Sequence, residues 1–270
     1  MYTNSVGWRG RLGILVIDID AIAEVEFGTI APDGMTVHAA RFNAPSLDWA
    51  DIKIQNLAQG MAESPDLARS LDFLGRIGLD AICLCYTTAS LFGGAAFDDV
   101  FPELAAAAAH GVQVFTSGAA MRAAISESGV REPFMVTPTW FTDSMTEAAE
   151  RYFTVGDQRA AGSMRFDLGL GWRALSPAEA WAAGAQWEVR PADIYRQVKQ
   201  TFPAGADGVV IPGNGFGSAK AIALLENDLG VPVITANQAC VWQFLEMMRI
   251  RVPVSGYGRV FTTPSARTPI

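Results

Sequence analysis

Ala81-Ile-Cys-Leu-Cys-Tyr-Thr-Thr-Ala-Ser90 and Gly208-Val-Val-Ile-Pro-Gly-Asn-Gly-Phe-Gly-Ser218 are apolar runs that each break into a small, polar turn opening a helix. Their β-branched and aliphatic residues suit buried strands of a parallel sheet, and the turns deliver hydroxyls, amides and bare N–H groups to a helix start. The first N–H groups of a helix lack intrahelical partners and the dipole adds positive potential there, so both turns are suited to hold a carboxylate or phosphate. The pair predicts a small anionic ligand. The residue types that most often do covalent or proton-transfer work at such turns are missing.

Working outward, Arg11–Ile17 and Met35–Phe42 read as strands around a short helix at Ala21–Phe27, and Ile52–Ile77 carries helical spacing closed by Gly78. Strand Ala81–Tyr86 is followed by a helix at Phe101–Ala109, strand Val112–Phe115 and a helix at Ala119–Ser128. The second half repeats the theme: strand Pro133–Thr137, helices at Asp143–Phe153 and Pro191–Phe202, strand Gly208–Ile211, a helix at Ala219–Leu229 and strand Val231–Thr235. This alternation predicts an α/β protein of two similar lobes, each a mostly parallel sheet flanked by helices. The expected division is an N-terminal lobe over residues 8–125, completed by residues 236–270, and a C-terminal lobe over residues 126–235. The least regular stretch, Asp157–Glu188 with its Asp167-Leu-Gly-Leu-Gly-Trp172, reads either as a lid or substrate wall or as surface packing.

Composition narrows the function. A hydrophobic fraction of 50% with 18% charge over 270 residues belongs to a well-buried globular protein. A net charge of −8 without a Lys/Arg run argues against nucleic acid as a partner. No stretch approaches the roughly 20 apolar residues of a membrane span, and Met1–Arg11 carries no leader pattern, so a cytoplasmic protein with no membrane partner is expected. Homodimers are common for such architectures, and the apolar surplus permits one. Cys83, Cys85 and Cys240 are odd in number and read as buried packing thiols rather than a disulfide framework. His38 and His110 lie far apart and neither stands at ligand spacing beside a carboxylate, so no metal site is expected. Gly213-Asn-Gly-Phe-Gly217 spaces its glycines wrongly for a dinucleotide fingerprint and no Gly-Lys-Ser/Thr triplet exists, so no cofactor is expected.

The carboxylates carry more information. Asp18 and Asp20 fall where the first strand leaves the sheet, on the carboxyl edge where parallel sheets bind ligands. Two like charges in a partly dry site push one pKa upward and produce a candidate acid or base near neutral pH; a cap of the following helix is the plain alternative for Asp20. Tyr86, Thr87, Thr88 and Ser90 close the third strand, and their hydroxyls and N–H groups are placed to surround a carboxylate and favour a developing oxyanion. Thr137-Pro-Thr139 ends a strand of the second half with the same logic.

From Arg11 to about Leu245 the chain resembles the aspartate/glutamate racemase superfamily, and within it the maleate cis–trans isomerases and arylmalonate decarboxylases. Gly13-Ile-Leu-Val16, Glu24-Val-Glu-Phe27, Ala31-Pro-Asp-Gly-Met-Thr-Val-His-Ala-Ala-Arg41, Thr137-Pro138, Gly230-Val-Pro-Val233 and Ala236-Asn-Gln-Ala-Cys-Val-Trp242 carry the likeness. It implies two pseudo-symmetric lobes with the substrate in the cleft between them, anion-holding Thr87 and Thr88, and roles for Gly213, Asn214 and Asn237 in binding. It also implies catalytic cysteines at the third-strand end of each lobe, where this sequence has Tyr86 and Gly213, and a tyrosine where it has Thr139. The expectation is therefore cysteine-independent, cofactor-free chemistry on a small carboxylate or dicarbonyl compound. Hydrolysis of an amide, imide or ester with Asp20 as base leads; isomerisation or decarboxylation using Tyr86, and a non-catalytic carboxylate-binding role, are the alternatives. The substrate-binding set expected beside Asp20 and Tyr86 is Thr87, Thr88, Ser90, Thr139, Gly213, Asn214 and Asn237.

Overall fold

Strand β1 (Gly10–Ile17) pairs in parallel with both β2 (Met35–Phe42) and β3 (Ala81–Cys85), which makes it the axis of the first half. The computed structural model describes residues 5–44, 54–154 and 156–262. β4 (Gln113–Thr116) adds to β3, giving a four-stranded sheet of order β2-β1-β3-β4. In the second half β5 (Pro133–Thr137) pairs with β6 (Gly162–Arg165) and β7 (Gly208–Ile211), and β8 (Val233–Thr235) closes a four-stranded parallel sheet of order β6-β5-β7-β8. The two orders are the same pattern. In each sheet the chain moves outward on opposite sides of one strand pair, β1/β3 and β5/β7, so each has a crevice at the carboxyl ends of those strands.

The helices follow from the side-chain alternation of the strands. Leu12, Ile14 and Val16 of β1 and Cys83 and Cys85 of β3 join a core cluster with Phe27 of α1 (Ile22–Ile30). Leu15, Ile82 and Leu84, on the other face, pack with Leu57 of α2 (Ile54–Ala62), Leu71 of α3 (Pro65–Arg76) and Phe97 of α4 (Thr87–Ala108). The first of these clusters continues through α5 (Ser117–Glu127) into the second sheet, where Met135, Val209 and Ile234 belong to it. The remaining helices are α6 (Asp143–Phe153), α7 (Leu170–Arg173), α8 (Pro177–Ala182), α9 (Pro191–Thr201), α10 (Ile222–Leu229) and α11 (Ala236–Met247), the last packing on α5 and α1. Among the described residues no helix is long and apolar enough to cross a membrane.

The expected helix Ile52–Ile77 is two helices: Pro65 stands at the first position of α3, where its fixed φ and missing N–H suit a helix start and cannot continue α2. Its residues 52 and 53, like 263–270 of the expected first lobe, lie outside the described residues. The helix expected at Phe101–Ala109 begins much earlier, at Thr87, with an interruption at Gly94 (φ 64°, ψ −164°). The irregular stretch Asp157–Glu188 contains edge strand β6, whose Gly-Ser-Met-Arg sequence lacks an apolar alternation, and the short helices α7 and α8.

Close approach of α4 and α5 depends on Gly118, because a Cβ there would lie 2.2 Å from Ser90 Cβ and 2.8 Å from the Tyr152 hydroxyl. Gly118→Ala is expected to lower stability by about 1–3 kcal/mol in urea unfolding without changing the denaturant slope.

Candidate active site

The crevices of the two sheets face one another across a cavity of about 280 Å³. Its lining comes from Ile17, Asp18 and Asp20 at and after the end of β1, Cys85 to Thr88 at the β3–α4 junction, Trp140, Phe141, Thr142 and Met145 after β5, and Gly213 to Gly215 after β7. Pro177, Ala178 and Trp181 of α8 complete the wall, so the irregular segment does form part of the site. Trp140 and Trp181 lie with ring centroids 5.4 Å apart, and Trp140 meets Phe216 edge to face at 5.9 Å. The lining thus combines aromatic side chains with strand-end backbone, and the two meet at Gly215, whose Cβ position would lie 3.0 Å from the Trp181 ring.

A buried hydrogen-bond chain joins the two strand ends. Thr87 Oγ1 donates to Asn214 Oδ1 at 2.8 Å and lies 2.9 Å from Ser117 Oγ. Asn214 Nδ2 donates to Asn237 Oδ1 at 2.9 Å, and Asn237 Nδ2 donates to Asn214 O at 2.9 Å and to Glu26 Oε2 at 2.8 Å. Since the Thr87 proton goes to Asn214, the Thr87 hydroxyl is not a free donor for a ligand, which corrects one expectation. What it leaves available is the backbone N–H of Thr87 and Thr88 at the first turn of α4, unpaired among the described residues. The Thr88 hydroxyl, also without a protein partner there, lines the cavity beside them. Gly213, at φ 102°, turns the chain so that Asn214 and Gly215 border the same space.

Asp20 is 1% exposed. Its Oδ1 accepts from Ile22 N at 2.9 Å, so it caps α1, and its other oxygen faces Gly215, whose Cβ position would be 3.2 Å away. The helix-start role weighed for this residue is therefore met, and its second oxygen borders the cavity. Burial raises its pKa to about 6, against the opposing pull of the Ile22 and Ala23 amides and the Arg41 guanidinium. Arg41 of β2 holds the turn by donating to the carbonyls of Asp18 (2.9 Å) and Asp20 (2.7 Å) and to Glu24 (2.7 Å). Asp18 lines the mouth of the cavity and accepts from its neighbour's amide, Ile19 N.

Tyr86 lines the cavity against Phe42, ring centroids 6.2 Å apart, and burial together with the Asp18 charge holds its phenol far above the usual range. It is a neutral proton donor and not a base. Cys85 also borders the cavity, so sulfur is not wholly outside it; burial pushes its thiol up to about 11, and it remains a thiol. Cys83 and Cys240 are buried in the core.

Three expected ligand contacts are displaced. Ser90 is buried and donates to Asp98 Oδ1 at 2.7 Å, sharing that carboxylate with Thr116 at 2.6 Å and with the Tyr152 hydroxyl. One turn into α4, it points away from the cavity. Thr139 donates to Phe166 O at 2.5 Å and anchors the segment after β6. Asn237 is one layer behind the cavity and acts on it through Asn214. Thr137 is buried and donates to Met164 O at 3.3 Å. His38 bonds Thr36 and His110 bonds Asp72, both remote from the cavity. Among the described residues no group of three or more His, Cys, Asp or Glu side chains is placed to hold a metal ion. Sequence reasoning missed Trp140, Trp181, Ser117, Glu26 and Arg41. The two tryptophans followed known strand-end and insertion positions, a signal available to it; the other three are brought in by tertiary packing.

A family model for arylmalonate decarboxylase matches residues 21–261, and the chain belongs to that family. Similar solved structures are the maleate isomerase Iso from Pseudomonas putida S16 (20% identity, 95% of this chain and 98% of that chain, TM-score 0.74) and unliganded arylmalonate decarboxylase (21%, 94% and 99%, 0.72). The Nocardia farcinica maleate cis-trans isomerase bound to TRIS is a third (16%, 93% and 97%, 0.69). These likenesses confirm the two-sheet α/β fold and the resemblance read from the sequence. No curated protein sequence matches the chain.

Asp20, at about 6 against an ordinary 3.8, and Glu26, raised by burial to about 7 from 4.5, make the fold pH-dependent in one direction. Each holds its proton in the native state at pH values where the unfolded chain has released it, so the stabilisation is complete below the unfolded values and disappears as pH rises through the folded ones. Urea unfolding is expected to show stability falling between about pH 4 and pH 8, and Asp20→Asn is expected to flatten the lower part of that fall.

Proposed function

We propose that this protein is a cofactor-free lyase that removes one carboxylate from a malonate-type diacid carrying an apolar substituent. The supporting observation is the presence, in one cavity, of unpaired helix-start amides, a set of aromatic side chains and the buried carboxyl group of Asp20. The carboxylate that stays meets the Thr87 and Thr88 amides, the Thr88 hydroxyl and the Asn214–Gly215 turn. The carboxylate that leaves faces Trp140, Phe141, Met145 and Trp181, where its charge is poorly solvated and its loss as CO2 is favoured.

In the reaction the bond from the α-carbon to the departing carboxylate breaks, and its electron pair enters the retained carboxyl group to give an enediolate as CO2 leaves. The same amides that bound the carboxylate stabilise the added charge. Asp20, in its acid form, then gives its proton to the α-carbon and regains one from solvent. A carboxyl group titrating near 6 is divided between both forms close to neutrality, which suits a group that must give and recover a proton in each cycle. Tyr86, neutral throughout, serves as a hydrogen-bond donor at the cavity edge.

The family and its neighbours are named for decarboxylation and isomerisation, which supports the alternative stated from the sequence over hydrolysis. Thiolate-dependent isomerisation is disfavoured by the raised Cys85 pKa and by Gly213, where the resemblance implies a second cysteine. Phenylmalonate is the test substrate. Phenylacetate and CO2 are expected, with one deuterium at the α-carbon in D2O. Asp20→Asn is expected to lower kcat by about 10²–10⁴-fold; unimpaired turnover would remove Asp20 from the chemistry. Trp181→Ala is expected to raise KM for phenylmalonate about tenfold, with a smaller effect on methylmalonate, measured by steady-state kinetics.

A further inference from the structure

Glu26 takes no part in the reaction set out above, yet it ends the buried chain that reaches the anion-holding turn. Its Oε2 accepts from Asn237 Nδ2 at 2.8 Å and its Oε1 from Ala219 N at 2.7 Å, so it ties α1, beside the first sheet, to the chain entering α10 beside the second. Asn237 Nδ2 also reaches Asn214 O at 2.9 Å. A carboxylate and a carbonyl both accept, so the Asn237 amide has one orientation, with Oδ1 turned to Asn214 Nδ2 at 2.9 Å. That fixes the Asn214 amide in turn, and its Oδ1 takes the Thr87 proton at 2.8 Å. Ser117 is left to donate to Thr87, at 2.9 Å. The pattern is set by the acceptor at its end, and reversing that acceptor leaves at least one donor facing a donor.

From this the geometry points to Glu26 as the positioning residue of the anion site: the acceptor that orients Asn237 and Asn214, and through them holds the Gly213–Gly215 backbone and the start of α4 in the arrangement that meets a carboxylate. Glu26 touches no ligand. The inference rests on the proposed carboxylate chemistry of the cavity, and the experiment separates the two.

Phenylacetate, the inert product of the proposed reaction, is titrated calorimetrically into the wild type, Glu26→Gln, Asn237→Asp and Glu226→Ala. In Glu26→Gln the new amide presents an N–H₂ group to one of two donors, and in Asn237→Asp the new carboxylate presents an oxygen to two acceptors. Each substitution is expected to weaken phenylacetate binding about tenfold and to raise KM for phenylmalonate more than it lowers kcat. Glu226 accepts from Val233 N at 3.0 Å and from Arg259 N at 2.9 Å, away from the cavity, so its removal is expected to lower Tm and leave phenylacetate affinity unchanged. Unchanged affinity in either folded chain variant overturns the positioning role, as does an equal loss in Glu226→Ala. Failure of both Glu26→Gln and Asn237→Asp to fold also overturns it, by making Glu26 a core residue. A wild type that binds no phenylacetate sinks the proposed function itself, and this inference with it.

Discussion

The hydrogen bond from Thr87 to Asn214 closes a loop of 127 residues and is the contact on which the site depends. It joins the end of the central strand of one sheet to the end of the corresponding strand of the other. Neither strand end forms a pocket alone, because each presents only one helix start or one loop to solvent. Buried polar groups carry a desolvation penalty unless paired, so the interface between the sheets is stable only when Ser117, Thr87, Asn214, Asn237 and Glu26 are all matched. The chain has just one sense of donation that satisfies all of them. Polar satisfaction therefore determines the relative placement of the two crevices more tightly than apolar packing, which tolerates small shifts.

Burial in the same cavity acts differently on a carboxyl group and on a thiol. A thiol in a dry cavity resists ionisation, as Cys85 does, whereas an aspartate begins far below neutrality and is carried upward by the same burial. Asp20 arrives near 6 because three opposing influences, two amides and Arg41, stop the rise partway. Gly213 shows the complementary constraint. At φ 102° the position is strained for any side chain, so a residue with a Cβ there would require a different turn. The cysteine that the resemblance implies at this position would therefore need a different turn.

Much of this was legible in the sequence where chemistry and periodicity coincide. The two apolar runs ending in polar turns located both strand ends, and the placement of Asp20 after the first strand put a carboxyl in the cavity. Ser90 and Thr139 were misread because a hydroxyl near a strand end looks the same whether it faces the ligand or a neighbouring carbonyl. One turn of α4 rotates Ser90 onto Asp98, and Thr139 answers the Phe166 carbonyl; neither partner is adjacent in sequence. Strand β6 carries no alternation because it is a short edge strand whose side chains are half exposed. Glu26 read as one acid among many on a short helix, and only the fold brings Asn237, 211 residues away, to its side.

Pseudo-symmetry makes the differences between the halves informative. The turn after β1 and the turn after β5 occupy equivalent places in the two sheets, yet one contributes Asp20 and the other Trp140 and Phe141. The turns after β3 and β7 remain alike, each bordering the cavity with backbone. A cavity with full twofold character would bind both carboxylates of a malonate equally and give neither a reason to leave. In the proposed reaction, an acid after β1 and aromatic side chains after β5 break that equivalence: one carboxylate would be held by amides throughout, and the other set against surface that solvates it poorly. On this reading the choice of the carboxylate that leaves comes from a departure from symmetry, for which the duplicated fold supplies the two starting copies.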